Sequence, residues 1–184
     1  PVLLNQTAAE VAQRNIEAIG MPRWTEEEQE FARTLQAKAG SKPTGLRLEG
    51  GRITGPAEII PASNDSGDVS WKVPMARIWF PSNIPELALH HWTAGAALAT
   101  SIAHKGALVG AKAMGATILD YFLDKGDLLE RTKASFKEAV GDTVYAPLLP
   151  DDKQPPVELN KVEMEKYRPL MEAHYITEPP RFAA

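Results

Sequence analysis

The chain has 184 residues, of which 43% are hydrophobic and 24% are charged, and its formal net charge at pH 7 is −4. This composition is typical of a folded globular domain; the acidic balance gives no support to a nucleic-acid partner, and no apolar run is long enough to span a bilayer. The chain has no cysteine, which excludes disulfides, thiol nucleophiles and cysteine-based zinc sites and fits a reducing, cytoplasmic compartment.

Two amphipathic helices are predicted in the first forty residues. The first lies within residues 3–19, where apolar side chains recur at near-helical spacing before a glycine. The second begins at Thr25, because Thr25 followed three residues later by Glu28 is the pattern of a capping box, and it ends at Gly40. The three glutamates at 26–28 suit the positive end of the helix dipole, and we expect them to lie in solvent.

Extended structure is predicted in the middle of the chain. Residues 40–62 are rich in glycine and proline and are expected to form a long connection. The sequence VPMARIWF at 73–80 then predicts a buried strand, and a second strand is expected around ELALHH at 86–91.

Three further helices are predicted in the second half. Ser101 is the expected N-cap of a long helix over residues 101–126, whose glycines weaken it and indicate that another backbone packs closely against it. Asp127 is the expected cap of the next helix. A third begins at Asn160 and is disturbed at Pro169.

The predicted strands lack partners. Four or five helices accompany one or two strands, and an isolated buried strand leaves its backbone groups without hydrogen bonds. Because the chain begins with Pro1 rather than methionine, we expect the rest of the sheet to come from upstream sequence of a longer reading frame.

His90 and His91 are the first candidates for a functional site. Imidazole is the commonest metal ligand, but the sequence has no H-x-x-x-H, H-E-x-x-H or H-x-D pattern. Two interpretations therefore remain for these histidines: a metal ligand, or a structural histidine held by hydrogen bonds. Adjacent residues of a strand point to opposite faces, so at most one of the two would face a given site.

Polar residues before the first predicted strand form the second candidate group. Ser63, Asn64 and Asp65 either cap a helical turn or direct hydroxyl and N–H groups at an anionic part of a ligand. His104 is the third candidate. It lies in the first turn of a predicted helix, where a cation is mildly unfavourable, and a residue placed against this preference indicates a functional use. A basic group that could bind an acidic substrate is not evident, since Arg77 is expected to face outward.

Several motifs, read in order, resemble a known family. The segments MPRWTEEEQEFARTLQ, SNDSGDVSW, HHW and SIAHKGALVGAKAMG are similar to the B subunit of p-aminobenzoyl-glutamate hydrolase and to related amidohydrolases. These enzymes belong to the co-catalytic metallopeptidases, which include aminoacylases and carboxypeptidases. The similarity extends to YRPLMEAHY near the end of the chain, and SNDSGDVSW and SIAHKG are the more specific motifs.

The resemblance implies an α/β catalytic domain built from two stretches of chain, with an inserted lid domain that mediates homodimerisation. Residues 1–184 would be the helix-rich C-terminal part of that single domain, with few strands of their own. The upstream stretch and the lid would be supplied by the rest of the same protein.

The resemblance also implies two divalent metal ions, zinc or manganese, in the complete protein. His90, in an H-x-W pattern, would be the one metal ligand in this segment, with His91 as the alternative, and no catalytic residue would lie here. The residues implied at the substrate are Ser63, Asn64, Asp65 and His104.

The activity implied is metal-dependent hydrolysis of the amide bond of an N-acyl or N-aroyl amino acid, similar to aminobenzoyl-glutamate, and residues 1–184 alone are expected to be inactive. A non-catalytic remnant or interaction module is the alternative, because the turn expected before His90 is missing. A helical domain with capped loops and no site is the third interpretation.

Overall fold

A computed structural model of the chain describes residues 2–53 and 64–175. The chain divides into two compact units, Pro1–Tyr145 and Ala146–Ala184. The described residues form seven helices, six in the first unit and one in the second: α1 (Gln6–Ile19), α2 (Glu26–Lys38), α3 (Ser66–Ser70), α4 (Trp92–Leu98), α5 (Ser101–Leu123), α6 (Asp127–Val140) and α7 (Lys161–Glu172). Among these described residues no helix is long and apolar enough to cross a membrane.

The predicted strands are wrong in the part of the chain that the structure describes. Residues 74–80 run without a turn or bend, but no neighbouring segment pairs with them, so no ladder forms. The segment 86–91 is turned rather than extended, because Glu86 and His90 adopt left-handed backbone angles with φ of 63° and 60°. The α/β class itself stays a prediction, since it depends on sheet strands that these residues do not contain.

Asn5 fixes the start of α1 and connects three parts of the first unit. Its side-chain oxygen accepts a hydrogen bond of 2.9 Å from the N–H of Ala8, which caps the helix. Its side-chain amide donates to the carbonyl of Thr132 in α6 at 3.1 Å, and its own N–H donates to the carbonyl of Met75 at 2.8 Å. Asn5 is only 2% exposed, so these bonds satisfy polar groups that are shielded from water.

The core of the first unit lies between α2, α4 and the start of α5. Its buried residues contact Trp24 and Leu87 at the edge, while α1 packs against α5 and α6, and α4 packs against α5. The members of this core cluster are Ala32, Leu35, Leu46, Ile84, Ala97 and Ile102.

The predicted capping box of α2 is confirmed. The hydroxyl of Thr25 accepts from the N–H of Glu28 at 3.2 Å, and the carboxylate of Glu28 accepts from the N–H of Thr25 at 2.8 Å. Glu28, however, is buried rather than solvated, whereas Glu26 and Glu27 are exposed as predicted. Position 28 is on the side of α2 that meets α5. The carboxylate of Glu28 is therefore shielded from water and paired with Lys105 of α5.

Three predicted helix starts are displaced or capped differently. Thr100, not Ser101, is the N-cap of α5, and Gly126, with φ of 104°, is the N-cap of α6 in place of Asp127. Asn160 precedes α7 as predicted, but its side chain makes no capping bond, and Pro169 lies inside that helix.

The predicted close approach of another backbone to the glycines of α5 is confirmed at Gly106, whereas at Gly110 the close neighbour is a side chain. A Cβ atom on Gly106 would lie 2.1 Å from the carbonyl oxygen of Pro81, and one on Gly110 would lie 2.5 Å from the ring of Phe80. At Gly115 nothing lies within 4 Å of such an atom, so the prediction is wrong there. Residues 80–82 therefore press directly onto the first half of α5.

This contrast gives a test of the close packing within one helix. Gly106→Ala should lower the free energy of unfolding by about 1–3 kcal/mol, because the methyl group collides with a backbone carbonyl that has little room to move. Gly115→Ala should raise it by up to about 1 kcal/mol, because alanine is the better helix former and meets no atom. Urea unfolding of the two variants measures both; equal shifts would contradict the packing described.

Candidate functional site

The turn that leads into α3 carries a chain of polar contacts. Asn64 accepts hydrogen bonds on its side-chain oxygen from the N–H of Ser66, at 3.1 Å, and from the hydroxyl of Ser66. The hydroxyl of Ser66 in turn accepts a hydrogen bond of 2.8 Å from the guanidinium group of Arg77. Arg77 is half-buried, and its guanidinium carbon lies 6.0 Å from the centre of the Trp79 ring. This set of residues, Asn64, Ser66 and Arg77, is called the polar turn below.

Arg77 is a candidate binding residue that the sequence alone did not indicate. The prediction that it faces outward is wrong, because its side chain folds back onto the helical turn eleven residues earlier in the chain. An arginine presents five N–H donors in a planar fork, and only one contact of this fork is used within the polar turn. The remaining charged donors of the fork are suited to binding a carboxylate.

Two other residues predicted for this turn contribute less. Asp65 is exposed and makes no capping hydrogen bond, although its backbone begins α3. Ser63 lies outside the described residues.

The structure gives the adjacent histidines different roles. His91 caps α4: its Nδ1 lies 2.8 Å from the hydroxyl of Thr93 and 3.5 Å from the N–H of Thr93, and its ring centre lies 5.6 Å from that of Trp92. His90 is exposed, has a φ of 60°, and makes no hydrogen bond to the described residues. The ring of His91 is thus engaged in capping, whereas the imidazole of His90 has no partner among the described residues.

The described residues do not form a metal centre by themselves. Among residues 2–53 and 64–175 there is no group of three or more histidine, aspartate or glutamate side chains close enough to hold an ion. His90 therefore offers a single donor, whereas a zinc site uses three or four protein ligands.

The helix start that contains His104 is held in place by its neighbours. Glu28 accepts a hydrogen bond of 2.6 Å from the hydroxyl of Ser101 and forms an ion pair of 2.7 Å with Lys105. The ammonium group of Lys105 also donates to the carbonyl of Arg23 at 3.1 Å. His104 itself is exposed, so the polar contacts of this motif belong to Ser101 and Lys105.

The ion pair with Lys105 and the neighbouring hydrogen bonds lower the pKa of Glu28. Burial alone would raise the pKa of the carboxyl group, but hydrogen bonds from Lys105, Ser101 and the N–H of Thr25, together with the charge of Lys105, lower it from 4.5 to about 2. The carboxylate is therefore ionised throughout the neutral range and fastens α2 to α5 as a charged group.

A second polar contact attaches α3 to the residues that follow α6. Tyr145, which follows α6, donates a hydrogen bond of 2.6 Å to the carboxylate of Asp68, and this bond raises the pKa of the tyrosine. The ammonium group of Lys72 lies 4.8 Å from the centre of the same ring. The polar turn thus precedes a short helix that has its own attachment to the end of α6.

The structure brings together only part of the predicted site. Asn64 lies in one network with Ser66 and Arg77, but no hydrogen bond or ion pair within the described residues joins this network to His90, His91 or His104. The ligand and substrate roles of these residues stay predictions.

The chain is similar to the B subunit of p-aminobenzoyl-glutamate hydrolase of Escherichia coli (strain K12), with 33% identity over 153 residues, covering 70% of this chain and 32% of the relative. The chain thus spans about a third of the length of the curated relative that it matches. No family model matches the chain, and no solved structure matches it significantly. The resemblance inferred from the motifs is confirmed: the chain is related to this amidohydrolase.

The ion pair of Glu28 predicts a specific pH dependence of stability. Since the pKa of Glu28 in the folded chain, about 2, is below its ordinary value of 4.5, its stabilising effect is complete above pH 4.5 and is lost as the pH falls toward 2. Glu28→Gln should lower the free energy of unfolding by about 2 kcal/mol at pH 7, because hydrogen bonds to a charged group are lost.

Urea unfolding at pH 7, 4.5 and 3 measures this dependence. The difference between the parent and Glu28→Gln should shrink at pH 3. Glu27→Gln, a change at an exposed neighbour, serves as the control and should have little effect at any pH. A difference that stays constant from pH 7 to 3 would mean that the charge of Glu28 is not what holds α5.

Proposed function

We propose that the chain is part of a hydrolase that cleaves the amide bond of an N-acyl or N-aroyl amino acid, with a compound similar to aminobenzoyl-glutamate as the substrate. The relationship to an amidohydrolase subunit supports the reaction class. The observation that carries the assignment to this site is the hydrogen bond from Arg77 to Ser66, because it places a cation within the SNDSGDVSW motif.

The proposed role of the polar turn is to bind a carboxylate of the amino-acid part of the substrate. The guanidinium group of Arg77 would form charge-assisted hydrogen bonds to the carboxylate, and the amide group of Asn64 would donate to the same anion. Both groups bind and orient the substrate. Neither acts on the amide bond, so the groups that carry out hydrolysis lie outside the polar turn.

Metal dependence is a further part of the proposal. His90 would supply one ligand to zinc or manganese, supported by its exposed, unbonded imidazole and its place in an H-x-W pattern. Since the described residues offer no metal-binding group, the other ligands would come from other residues. The proposed role of His90 is limited to holding the ion.

The last part of the proposal is that this chain assembles with further polypeptide. The relative is described as a subunit of a hydrolase, which supports a partner for the present chain. Homodimerisation through a lid domain and a cytoplasmic location stay predictions.

A non-catalytic interaction module is the second candidate function. It is favoured by one observation, that the segment before His90 lacks the turn expected from the resemblance. The two functions are distinguished by assaying the protein as its own cells produce it, supplied with zinc or manganese. Release of p-aminobenzoate from p-aminobenzoyl-glutamate supports the hydrolase; intact, folded protein that cleaves no N-aroyl amino acid supports the module.

Arg77→Ala should raise KM for p-aminobenzoyl-glutamate by about 10- to 100-fold, because a charge-assisted hydrogen bond to the carboxylate contributes about 1.5–3 kcal/mol. The same variant should cleave an analogue whose carboxylates are converted to neutral amides as well as the parent does. Arg77→Lys should retain part of the binding, since it keeps the charge but not the planar fork.

Arg14→Ala is the matched control, because Arg14 is an exposed arginine of α1 with no contact to the polar turn. Steady-state release of p-aminobenzoate gives KM and kcat for each variant. If Arg77→Ala leaves KM unchanged, or weakens the neutral analogue to the same extent, Arg77 does not bind the substrate carboxylate.

A further inference from the structure

Trp79 presents an exposed aromatic ring beside Arg77, the arginine of the polar turn. Trp79 is 73% exposed, and the guanidinium carbon of Arg77 lies 6.0 Å from the centre of its ring. The two residues are two positions apart in a segment without a turn or bend, so their side chains project from the same face of the chain. A cation and a flat apolar surface therefore lie side by side.

Arg77 and Trp79 line the same open cleft, whose volume of about 650 Å³ is within the range of small-molecule sites. Leu89, which is 72% exposed, belongs to the wall of this cleft as well. Large apolar side chains that are exposed together at a cleft indicate a surface that another group covers.

The charged residues of the cleft favour an anionic ligand. Among the described residues that line it, Arg47, Arg52 and Arg77 are accompanied by one carboxylate, that of Glu49. This excess of positive charge attracts a compound that carries a carboxylate. The charge and the exposed indole together indicate a ligand with an anionic end and a flat apolar end.

The spacing of the two groups matches the dimensions of an N-aroyl amino acid. In such a compound the α-carbon and the amide group separate the carboxyl carbon from the aromatic ring, so that the carboxyl carbon and the ring centre are about 6 Å apart in an extended molecule. The guanidinium carbon of Arg77 and the ring centre of Trp79 are separated by 6.0 Å. A ligand that lies along these two groups therefore places its carboxylate at Arg77 and its ring on the indole at the same time.

We propose that Trp79 determines the specificity of the proposed reaction for the acyl group: its indole stacks on the aromatic ring of the substrate, so that the site prefers N-aroyl to N-alkanoyl amino acids. This inference rests on the proposed function, since it takes Arg77 as the group that binds the substrate carboxylate. Offset stacking of two flat rings adds to the gain from apolar burial, and an aliphatic acyl group lacks this contribution. Trp79 binds and orients the acyl group and takes no part in breaking the amide bond.

Three N-acyl glutamates that differ in the acyl group test the proposal. p-Aminobenzoyl-glutamate carries a flat ring, cyclohexanecarbonyl-glutamate carries a puckered ring of similar size, and acetyl-glutamate carries no ring. Each variant is made in the whole protein, produced in its own cells and supplied with zinc or manganese. Release of p-aminobenzoate gives KM and kcat for the first compound, and the other two give inhibition constants against it, whether or not they are cleaved.

Trp79→Leu and Trp79→Phe are the informative pair, because both keep an apolar side chain and only the second keeps a flat ring. Trp79→Leu should raise KM for p-aminobenzoyl-glutamate by about 3- to 10-fold and leave the two inhibition constants nearly unchanged, because only the contact between two rings is lost. Trp79→Phe should retain most of the affinity. Phe122→Leu makes a similar change at an exposed aromatic residue that does not line the cleft, and it should change none of the constants.

Arg77→Ala should weaken all three compounds alike, because they share the same carboxylates. Equal weakening of all three in Trp79→Leu therefore overturns the inference, since it means that the indole acts only by holding Arg77 in place. Constants that stay unchanged for all three in Trp79→Leu also overturn it and mean that the indole lies away from the acyl group in the whole protein.

The parent protein separates this inference from the proposed function. A parent that cleaves no p-aminobenzoyl-glutamate removes the proposed function and this inference with it. A parent that cleaves the compound, together with a Trp79→Leu variant that does not discriminate between the three acyl groups, removes this inference alone.

Discussion

The first unit is organised around the close contact of α5 with residues 80–82. This contact exists only because positions 106 and 110 lack a Cβ atom, so that a backbone carbonyl and an aromatic ring lie against the helix. The contact holds the end of the segment that carries Arg77 against the helix. The N-terminal end of the same helix is fixed by the ion pair between Lys105 and Glu28.

Local sequence rules predicted the five longer helices, because the signals that determine them lie within a few residues, but they missed the short helix α4. The capping box at Thr25 and Glu28 is such a signal, and the glycines of α5 correctly indicated a close neighbour at two positions. The exact caps of α5 and α6 were missed. Each helix begins one residue earlier along the chain than expected, with Thr100 and Gly126 as the N-caps. The hydroxyl of Ser101 donates to Glu28 instead of capping the helix.

The candidate site was predicted less well, because its contacts join residues that are distant in sequence. Arg77 was judged from the alternation expected of a strand, but its orientation is set by Ser66, which no local pattern relates to it. The apolar run around Arg77 was predicted to be a buried strand, but a strand requires a pairing partner and the described residues supply none. His90 and His91 were separated only by backbone geometry, since one adopts a left-handed conformation and the other caps a helix.

Carboxylate binding by the polar turn is best tested by a crystal structure of the protein, purified from its own cells and bound to p-aminobenzoyl-glutamate. We expect a substrate carboxylate within hydrogen-bonding distance of the guanidinium group of Arg77, about 3 Å, with the amide of Asn64 beside it. We also expect the imidazole of His90 to face the scissile amide. A substrate bound elsewhere, with Arg77 contacting only Ser66, would show that the polar turn is a structural feature and not a binding site.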